Sequence, residues 1–295
     1  MHYHGFRGEI YVGYRGELPD WSAAAKSDVS VNWPGSRTLQ VEDGLLLHLL
    51  PLVTHYHFSN YKPDFMLRLW EGIAHNAESM FYFDPDIVVT SPWSVFEEWV
   101  ECGVAMCEDV NSPVAKYHPT RIAWRQYFDK NGLTLLFKEN VYANGGFVGV
   151  NKMNRGFLHC WQSLQEMMGP SIGGLERSFF LTASVSSPFA PFGLLDQDAM
   201  NASIEAWDGI VSFVNKTGMS FIPGGSLMSH AIGKQKPWLM KPLVQVLGAQ
   251  PPRKADRDYW YHANGAILSQ PKWLVRVRCL AIQISALIGR FYSRN

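Results

Sequence analysis

The chain has 295 residues, 47% of them hydrophobic and 18% charged, which predicts a packed globular core and excludes a disordered chain. Lys and Arg total 26, as do Asp and Glu, so no excess of positive charge points to a nucleic-acid-binding protein. No uncharged apolar run reaches the about 18 residues of a membrane span, no secretory signal opens the chain, and the four cysteines form no CxxC pair, so we expect a cytoplasmic protein.

The predicted elements begin with a strand at 8–14, which precedes a turn and a helix over 16–26. A helix at 62–75 and a buried strand at 80–83 come next. Downstream, the patterns predict strands at 103–107, 146–150, 210–214 and 219–222 and helices at 153–168 and 197–207. This alternation predicts an α/β fold with a mainly parallel central sheet flanked by helices.

Asp84 and Asp86 follow the buried strand at 80–83 and flank Pro85. The residue before a proline is held in the extended region, and residues two apart in an extended segment point to the same side. Both carboxylates can then face one point at the end of a strand, where open α/β sheets bind ligands, and such a pair selects Mg²⁺ or Mn²⁺. The same spacing is also typical of two solvated acids at a strand end.

An apolar strand followed by Asp84, Asp86 and Val88 also resembles the first motif of haloacid-dehalogenase-type phosphatases, in which the first Asp is a nucleophile and the second a general acid. Those enzymes use a downstream acidic pair for Mg²⁺, as DD or GDxxxD, and neither pattern follows residue 86. Their motif also lies near the N-terminus, unlike this one. The phosphatase interpretation is therefore the less favoured.

Three further segments carry residue types suited to a phosphate or sugar site, and each has a plain alternative. Residues 142–147 (YANGGF) lead into a strand and also fit an ordinary turn. Residues 195–198 (LDQD) begin a helix, where acids also complement the helix dipole. Residues 230–238 (HAIGKQKPW) offer a possible metal ligand in His230 and a compact positive charge in Lys236, and also fit a basic surface loop.

The order of these segments resembles the retaining glycosyltransferases of family 8 over residues 8–240: DxD after an apolar strand, Asn-Gly-Gly before a strand, then DQD and HxxGxxKPW. The resemblance implies a GT-A fold, that of the nucleotide-diphospho-sugar transferases. It also implies a metal ion, Mn²⁺ or Mg²⁺, held by Asp84, Asp86 and His230. The implied donor-binding residues are Lys62, Asn144, Gly145, Gly233 and Lys236, and the implied catalytic residues are Asp196, Gln197 and Asp198.

The implied reaction moves a hexose from a UDP-sugar to a hydroxyl of a saccharide or lipid-linked acceptor, with retention at the anomeric carbon. In it Gln197 stabilises an oxocarbenium-like transition state, Asp196 or Asp198 holds sugar hydroxyls, and the metal offsets charge on the departing diphosphate. We expect the family's first strand and helix to be absent, because residues 1–6 resemble the end of that helix. A protein that binds a nucleotide sugar without turnover is therefore the alternative.

Residues 1–250 are assigned to an N-terminally incomplete GT-A-like domain, and residues 251–295 to a C-terminal extension without an acid after Asp258. A basic amphipathic helix at 273–292 can lie on the inner face of an anionic membrane or pack on the domain, and we hold both possibilities. Its apolar stripe consists of Trp273, Val277, Leu280, Ile284, Leu287 and Phe291. The cations of the extension are Lys272, Arg276, Arg278, Arg290 and Arg294.

Overall fold

The computed structural model describes residues 1–178 and 189–292. Two compact units are formed: unit 1 comprises Met1–Pro51, Asp84–Ser94 and Thr217–Asn295, and unit 2 comprises Leu52–Phe83 and Val95–Lys216. The strands are β1 Gly8–Tyr14, β2 Lys26–Ser27, β3 Arg37–Glu42, β4 Leu45–Pro51, β5 Ser79–Phe83, β6 Ile87–Val89, β7 Val104–Cys107, β8 Phe147–Asn151, β9 Val211–Val214 and β10 Met228–His230. The α-helices are α1 Lys62–Glu71, α2 Trp93–Val100, α3 Pro119–Lys130, α4 Gly156–Ile172, α5 Asp196–Ala206, α6 Pro242–Leu247, α7 Lys254–His262 and α8 Lys272–Ile288.

Unit 1 contains a mixed sheet in the order β1-β4-β3-β2. β1 pairs in parallel with β4, whereas β3 pairs antiparallel with both β4 and β2. The β3–β4 hairpin turns at Asp43-Gly44, where Gly44 has a φ of 69° that favours glycine. Leu47 and Leu49 lie two apart on β4 and are therefore buried on the same side of the sheet, together with Ala25.

The rest of unit 1 combines two short strands with helices. β6 pairs antiparallel with β10, so that His230 lies opposite Ile87. α7 packs against both of these strands, and α6 and α7 pack against α8. The buried indole of Trp260 on α7 donates a hydrogen bond to the carbonyl of Pro237 (2.9 Å). α7 is thereby fastened to the segment that follows β10.

Unit 2 contains a second mixed sheet, in the order β5-β8-β7-β9. β8 pairs antiparallel with β5 and β7, whereas β7 and β9 are parallel. β8 is buried along its whole length, which accounts for its largely apolar sequence. Gly149 is required at its centre, because a Cβ there would lie 2.8 Å from the Phe81 ring. α4 packs against α1 and α5 and buries Phe157 and Trp161 in the core of this unit.

Hydrophobic periodicity located most elements of both units. The strands β1, β5, β7, β8 and β9 confirm those predicted at 8–14, 80–83, 103–107, 146–150 and 210–214. The helices α1, α4, α5 and α8 confirm those predicted at 62–75, 153–168, 197–207 and 273–292. α1 ends at Glu71, earlier than predicted, because Gly72 follows with a non-helical backbone conformation.

Three predictions about the fold were wrong. The sheets are mixed rather than mainly parallel, because apolar periodicity locates strands without encoding their direction. Residues 16–26 form no α-helix: Pro19 precedes a single 3₁₀ turn at Asp20–Ser22, and the segment ends in β2. Residues 219–222 form a turn, in which Ser220 has a φ of 60°, and the strand of this region is β10.

Two further observations concern the C-terminal part of the chain. Residues 251–292 belong to unit 1, and the predicted domain boundary at residue 250 remains a prediction. Within the ranges that the structure describes, no helix is both long enough and apolar enough to cross a membrane.

Candidate functional site

The three predicted metal ligands converge in unit 1. Asp84 follows β5, Asp86 precedes β6, and His230 ends β10, the partner of β6. The Nε2 atom of His230 lies 3.3 Å from Oδ1 of Asp86 and 3.8 Å from Oδ2 of Asp84. Taken together, one ligand atom from each residue lies within 4.8 Å of the other two. Strand pairing thus brings a distant histidine to the two aspartates, and metal binding by this group remains a prediction.

A turn brings the two carboxylates together. The N–H of Ile87 donates to the carbonyl of Asp84 (3.0 Å), which closes a turn around Pro85. The N–H of Ala231 donates to the carbonyl of Asp86 (3.2 Å) and fixes the end of β10 beside that turn. The expectation of a simply extended DxD segment was therefore wrong, because the backbone of this segment reverses to meet β10.

The loop after β10 places a lysine on one of these carboxylates, that of Asp86. The Nζ atom of Lys236 lies 2.5 Å from Oδ2 of Asp86 and 2.9 Å from the carbonyl oxygen of Ala231. Gly233, within this loop, has a φ of 88°, a conformation that favours glycine, and a Cβ there would meet no atom within 4 Å. The loop therefore combines a positive charge with open space beside its glycine.

Arg253, which directly precedes α7, braces this loop. Its guanidinium donates to the carbonyl oxygens of Ile232 (2.7 Å) and Gln235 (2.9 Å). Asp256 accepts hydrogen bonds from the guanidinium and from the backbone N–H of Arg253, both at 2.9 Å, and so orients it. Sequence reasoning missed Arg253, because an arginine that binds backbone carbonyls belongs to no recognisable motif.

The electrostatics of the Asp84–Asp86–His230 group favour a cation. Burial on its own would raise the pKa of Asp86, but the contacts with His230 and Lys236 outweigh burial and lower this pKa to about 2. Asp86 is therefore a carboxylate at neutral pH. The Lys236 ammonium supplies part of the positive charge that this buried carboxylate requires.

The residues present fit a divalent cation such as Mn²⁺. Two carboxylates and an imidazole provide the mixed oxygen and nitrogen ligands that suit this ion. Adjacent ligands of an octahedral ion with bonds of about 2.1 Å lie about 3 Å apart, close to the 3.3 and 3.8 Å measured from His230. In residues 1–178 and 189–292, no further acid joins Asp84 and Asp86 in such a group, although a dehalogenase-type phosphatase would need one.

The remaining predicted residues belong to unit 2. Lys62, the buried first residue of α1, donates from Nζ to the carbonyl of Gly145 (2.8 Å) and to Oδ2 of Asp196 (2.9 Å). The Oε1 atom of Gln197 accepts the backbone N–H of Gly145 (2.9 Å). A Cβ at Gly145 would lie 3.3 Å from the Cβ of Gln197, so the glycine permits this close approach. Lys62, Gly145, Asp196 and Gln197 therefore form one hydrogen-bonded cluster.

Asn144 is buried and hydrogen-bonded within the protein. Its Nδ2 donates to Oδ2 of Asp109 (2.6 Å), and its Oδ1 accepts the backbone N–H of Gly146 (2.9 Å). Asp109 was missed by sequence reasoning, although an acid two residues after the apolar strand β7 was the signal that could have identified it. Contact between Asn144 and a donor remains a prediction.

Asp198, the second acid of DQD, is buried in unit 2. Its Oδ1 accepts the hydroxyl of Tyr142 (2.7 Å), and its Oδ2 accepts the N–H of Leu194 (2.6 Å). Burial raises the pKa of Asp198 to about 7, against the lowering effect of these two hydrogen bonds. Both carboxylate oxygens thus have donors within the protein, and a direct role of Asp198 with sugar hydroxyls remains a prediction.

No protein-family model matches the chain, and no curated protein matches it. Among solved structures, the chain is similar to the apo structure of WbbM, a bifunctional glycosyltransferase, with 12% identity and a TM-score of 0.43. The match covers 82% of this chain and 42% of that chain. A likeness at this level establishes neither a fold family nor an activity.

Proposed function

We propose that this chain is a GT-A-fold glycosyltransferase that moves a hexose from a UDP-sugar to an acceptor hydroxyl with retention of configuration. The observation that carries the proposal is the convergence of Asp84, Asp86 and His230 from segments far apart in the sequence. Gly233 and Lys236 follow in the same loop, in the order typical of family 8 glycosyltransferases. A UDP-sugar, with its diphosphate, is the class of donor that this arrangement suits.

The proposed roles in unit 1 follow from charge. A divalent cation, Mn²⁺ rather than Mg²⁺ because His230 supplies a nitrogen, would offset negative charge on the departing diphosphate. When a metal ion neutralises Asp86, the Lys236 ammonium can move away from that carboxylate and bind a donor phosphate as a compact positive charge. The space beside Gly233 lets backbone approach the same phosphate. Asp84, Asp86 and His230 would therefore hold the ion, and Lys236 the donor.

We assign the sugar side of the reaction to Asp196 and Gln197. Lys62 orients the Asp196 carboxylate, which can accept hydrogen bonds from sugar hydroxyls. Gly145 fixes the Gln197 amide, whose dipole could stabilise positive charge that develops in an oxocarbenium-like transition state. Because an amide is a poor nucleophile, we propose no covalent intermediate. In this proposal Asp198 is a positioning residue that holds the start of α5 through Tyr142 and Leu194.

Binding of a nucleotide sugar without turnover is the second candidate function. It is favoured by the internal hydrogen bonds of the predicted sugar-side residues, since Asp198, Asn144 and the Oε1 atom of Gln197 each already bind a protein donor or acceptor. Binding of a donor diphosphate through Asp84, Asp86 and His230 would not depend on those residues. The acceptor, whether saccharide or lipid-linked, would then have no role.

Release of UDP from a panel of UDP-hexoses, measured with Mn²⁺ and with a chelator, tests the proposal. We expect Mn²⁺-dependent release from at least one donor and loss of release in the Asp84→Ala plus Asp86→Ala variant. The Asp129→Asn variant is the matched control, because it removes an exposed carboxylate elsewhere. The anomeric configuration of the transferred sugar, read by NMR, tests retention.

The possible results separate the two candidates. Mn²⁺-dependent binding of a UDP-sugar without release or transfer would support the second candidate. Unchanged release by the double variant would refute the role of the two aspartates, and neither binding nor release by the wild-type chain would refute both candidates.

A further inference from the structure

α8 and the 3₁₀ turn that follows it, Gly289–Phe291, expose a continuous apolar stripe. Its members recur every three or four residues and are between 41% and 86% exposed: Trp273, Val277, Leu280, Ile284, Leu287 and Phe291. At about 100° per residue, the two buried residues of the helix, Ile282 and Ser285, fall on the opposite face. α4 has the same length of 17 residues but buries its apolar positions, including Phe157 and Trp161. The stripe of α8 therefore has no partner among residues 1–178 and 189–292 that removes it from solvent.

The positive charges of α8 and of the 3₁₀ turn after it divide between an inner and an outer face. Arg278 is directed inward: it donates to the carbonyl of Met240 (2.6 Å), and its guanidinium lies 5.5 Å from the Trp260 ring. Three exposed cations remain, and within the described ranges no carboxylate pairs with any of them. Each directly precedes a stripe residue, so that all three border the same side of the stripe. They are Lys272, Arg276 and Arg290. Arg294 lies outside the described residues.

Neighbouring helices extend this surface. α6 packs against α8 and exposes Leu243, Val244 and Leu247. A groove of about 460 Å³ lies between α7 and α8, and its lining includes Arg257, Asp258, Arg290 and apolar side chains of α8. The Asp258 carboxylate is paired with Lys254 (2.6 Å), which offsets its charge. Guanidinium groups beside an apolar wall suit a phosphate ester that is attached to an acyl chain.

Charge distinguishes a membrane from a second copy of this chain as the partner of the stripe. Residues 259–295 contain five of the 26 Lys and Arg residues and none of the 26 Asp and Glu residues. The spacing of the stripe also fits a coiled-coil seam, but a second α8 would add further cations and no carboxylate. An anionic bilayer neutralises such cations. Trp273, near the start of the stripe, is of a type enriched at membrane interfaces.

We propose that α8 docks this protein onto the surface of an anionic phospholipid bilayer. The apolar stripe enters the interface, Lys272, Arg276 and Arg290 contact lipid headgroups, and the α7–α8 groove receives a headgroup phosphate. The helix lies in the plane of the interface. This docking surface is independent of the proposed transferase activity, since it shares no residue with the proposed donor site.

Co-sedimentation of the full chain with lipid vesicles tests the proposal. We expect binding to phosphatidylcholine vesicles that contain about 30% phosphatidylglycerol, and at least tenfold weaker binding to pure phosphatidylcholine. Binding should weaken when NaCl rises from about 0.1 M to about 0.5 M, because salt screens the contribution of the cations. These comparisons use the unaltered chain, so they do not depend on whether any variant folds.

Two sets of variants separate the apolar and charged contributions. Leu280→Gln plus Ile284→Gln should lower affinity for anionic vesicles at least tenfold, whereas Val53→Gln plus Leu136→Gln, which alters exposed apolar residues of unit 2, should not. A triple variant should lower the affinity for anionic vesicles roughly a hundredfold, at about fivefold per cation; it combines Lys272→Gln, Arg276→Gln and Arg290→Gln. Its control combines Lys26→Gln, Lys130→Gln and Lys152→Gln, which remove three exposed cations elsewhere.

Several results would overturn the proposal. These are absence of vesicle binding by the wild-type chain, equal binding to neutral and anionic vesicles, or unchanged binding by the stripe variant. Sedimentation velocity provides the last check: a wild-type dimer that becomes monomeric in the stripe variant and does not bind vesicles would identify a second copy as the occupant.

Discussion

The two acidic clusters of this protein are built differently. In unit 2, Asp196 accepts from the buried Lys62, and Asp198 accepts from Tyr142 and from a backbone N–H. In unit 1, Asp86 contacts His230 and the partly exposed ammonium of Lys236, at the end of a loop. The first cluster has fixed donors from within its own unit. The second has one cation on a flexible side chain, which another cation can replace.

This difference indicates that Lys62 is a structural counter-ion, whereas Lys236 can be replaced by another cation. Lys62 is 6% exposed and also binds a backbone carbonyl, so its removal would take a hydrogen-bond partner from both Asp196, which is 13% exposed, and that carbonyl oxygen. Lys236 is 27% exposed, and Asp86 would retain His230 if Lys236 left. Carboxylates alone therefore do not identify a ligand site, and the solvent exposure of their counter-ion is the more informative property.

The largest expected effect is on stability. Lys62→Met should lower the free energy of unfolding by about 3 to 5 kcal/mol, because it breaks a mostly buried ion pair with Asp196. Lys236→Met should cost about 1 kcal/mol or less, because solvent reaches that pair. Urea denaturation of both variants measures the contrast. Equal losses would show that the two lysines do not differ in the way described.

The next effect is on metal affinity. Asp86→Asn should weaken Mn²⁺ binding about a hundredfold in the absence of any nucleotide, since it removes a charged ligand. Asp196→Asn, the matched change in unit 2, should leave Mn²⁺ affinity within about twofold. Titration followed by Mn²⁺ electron paramagnetic resonance gives both values. If the two variants bound Mn²⁺ equally well, the assignment of the ion to unit 1 would be wrong.

The smallest effect is a pH dependence that originates in unit 2. The pKa of Asp198 is raised from 3.8 to about 7, so the folded state retains a proton that the unfolded chain releases. Stability should therefore fall as pH rises through this range, by up to about 1.4 kcal/mol per pH unit, and the contribution should level off above it. Asp198→Asn should remove that slope, because its amide can bind Tyr142 and Leu194 without titrating.

Urea denaturation of the wild type and of Asp198→Asn at several pH values isolates this contribution from other titrating groups. The variant should gain stability relative to the wild type as pH rises from about 4 to about 7. A difference between the two chains that stays constant with pH would contradict the raised pKa.

Local sequence patterns predicted most strands and most of the residues in the two acidic clusters. Buried strands such as β5 and β8 are apolar along their length, and a DxD at the end of one draws attention to its carboxylates. Strand direction could not be predicted, since the same apolar run serves parallel and antiparallel pairs. The contact between this turn and β10, made by the distant N–H of Ala231 on the carbonyl of Asp86, is likewise something that no local pattern reveals.

Which individual polar residues are buried could not be predicted from the sequence either. Asp196 and Asp198 lie two apart in one motif, yet one is held by Lys62 at its helix start and the other is enclosed by Tyr142. Which side of a helix start faces the core depends on elements elsewhere in the chain. For the same reason α4 and α8 show similar apolar stripes, and packing against the rest of its unit covers only the first.

Arg253 has a consequence for protein engineering. Its two hydrogen bonds to Ile232 and Gln235 anchor the backbone that sets the reach of Lys236. A chimera joined at residue 250, with a foreign C-terminal sequence, would lose both anchors even if every proposed metal ligand were retained. A functional graft would therefore have to transfer Arg253 and Asp256 together with the loop that follows β10.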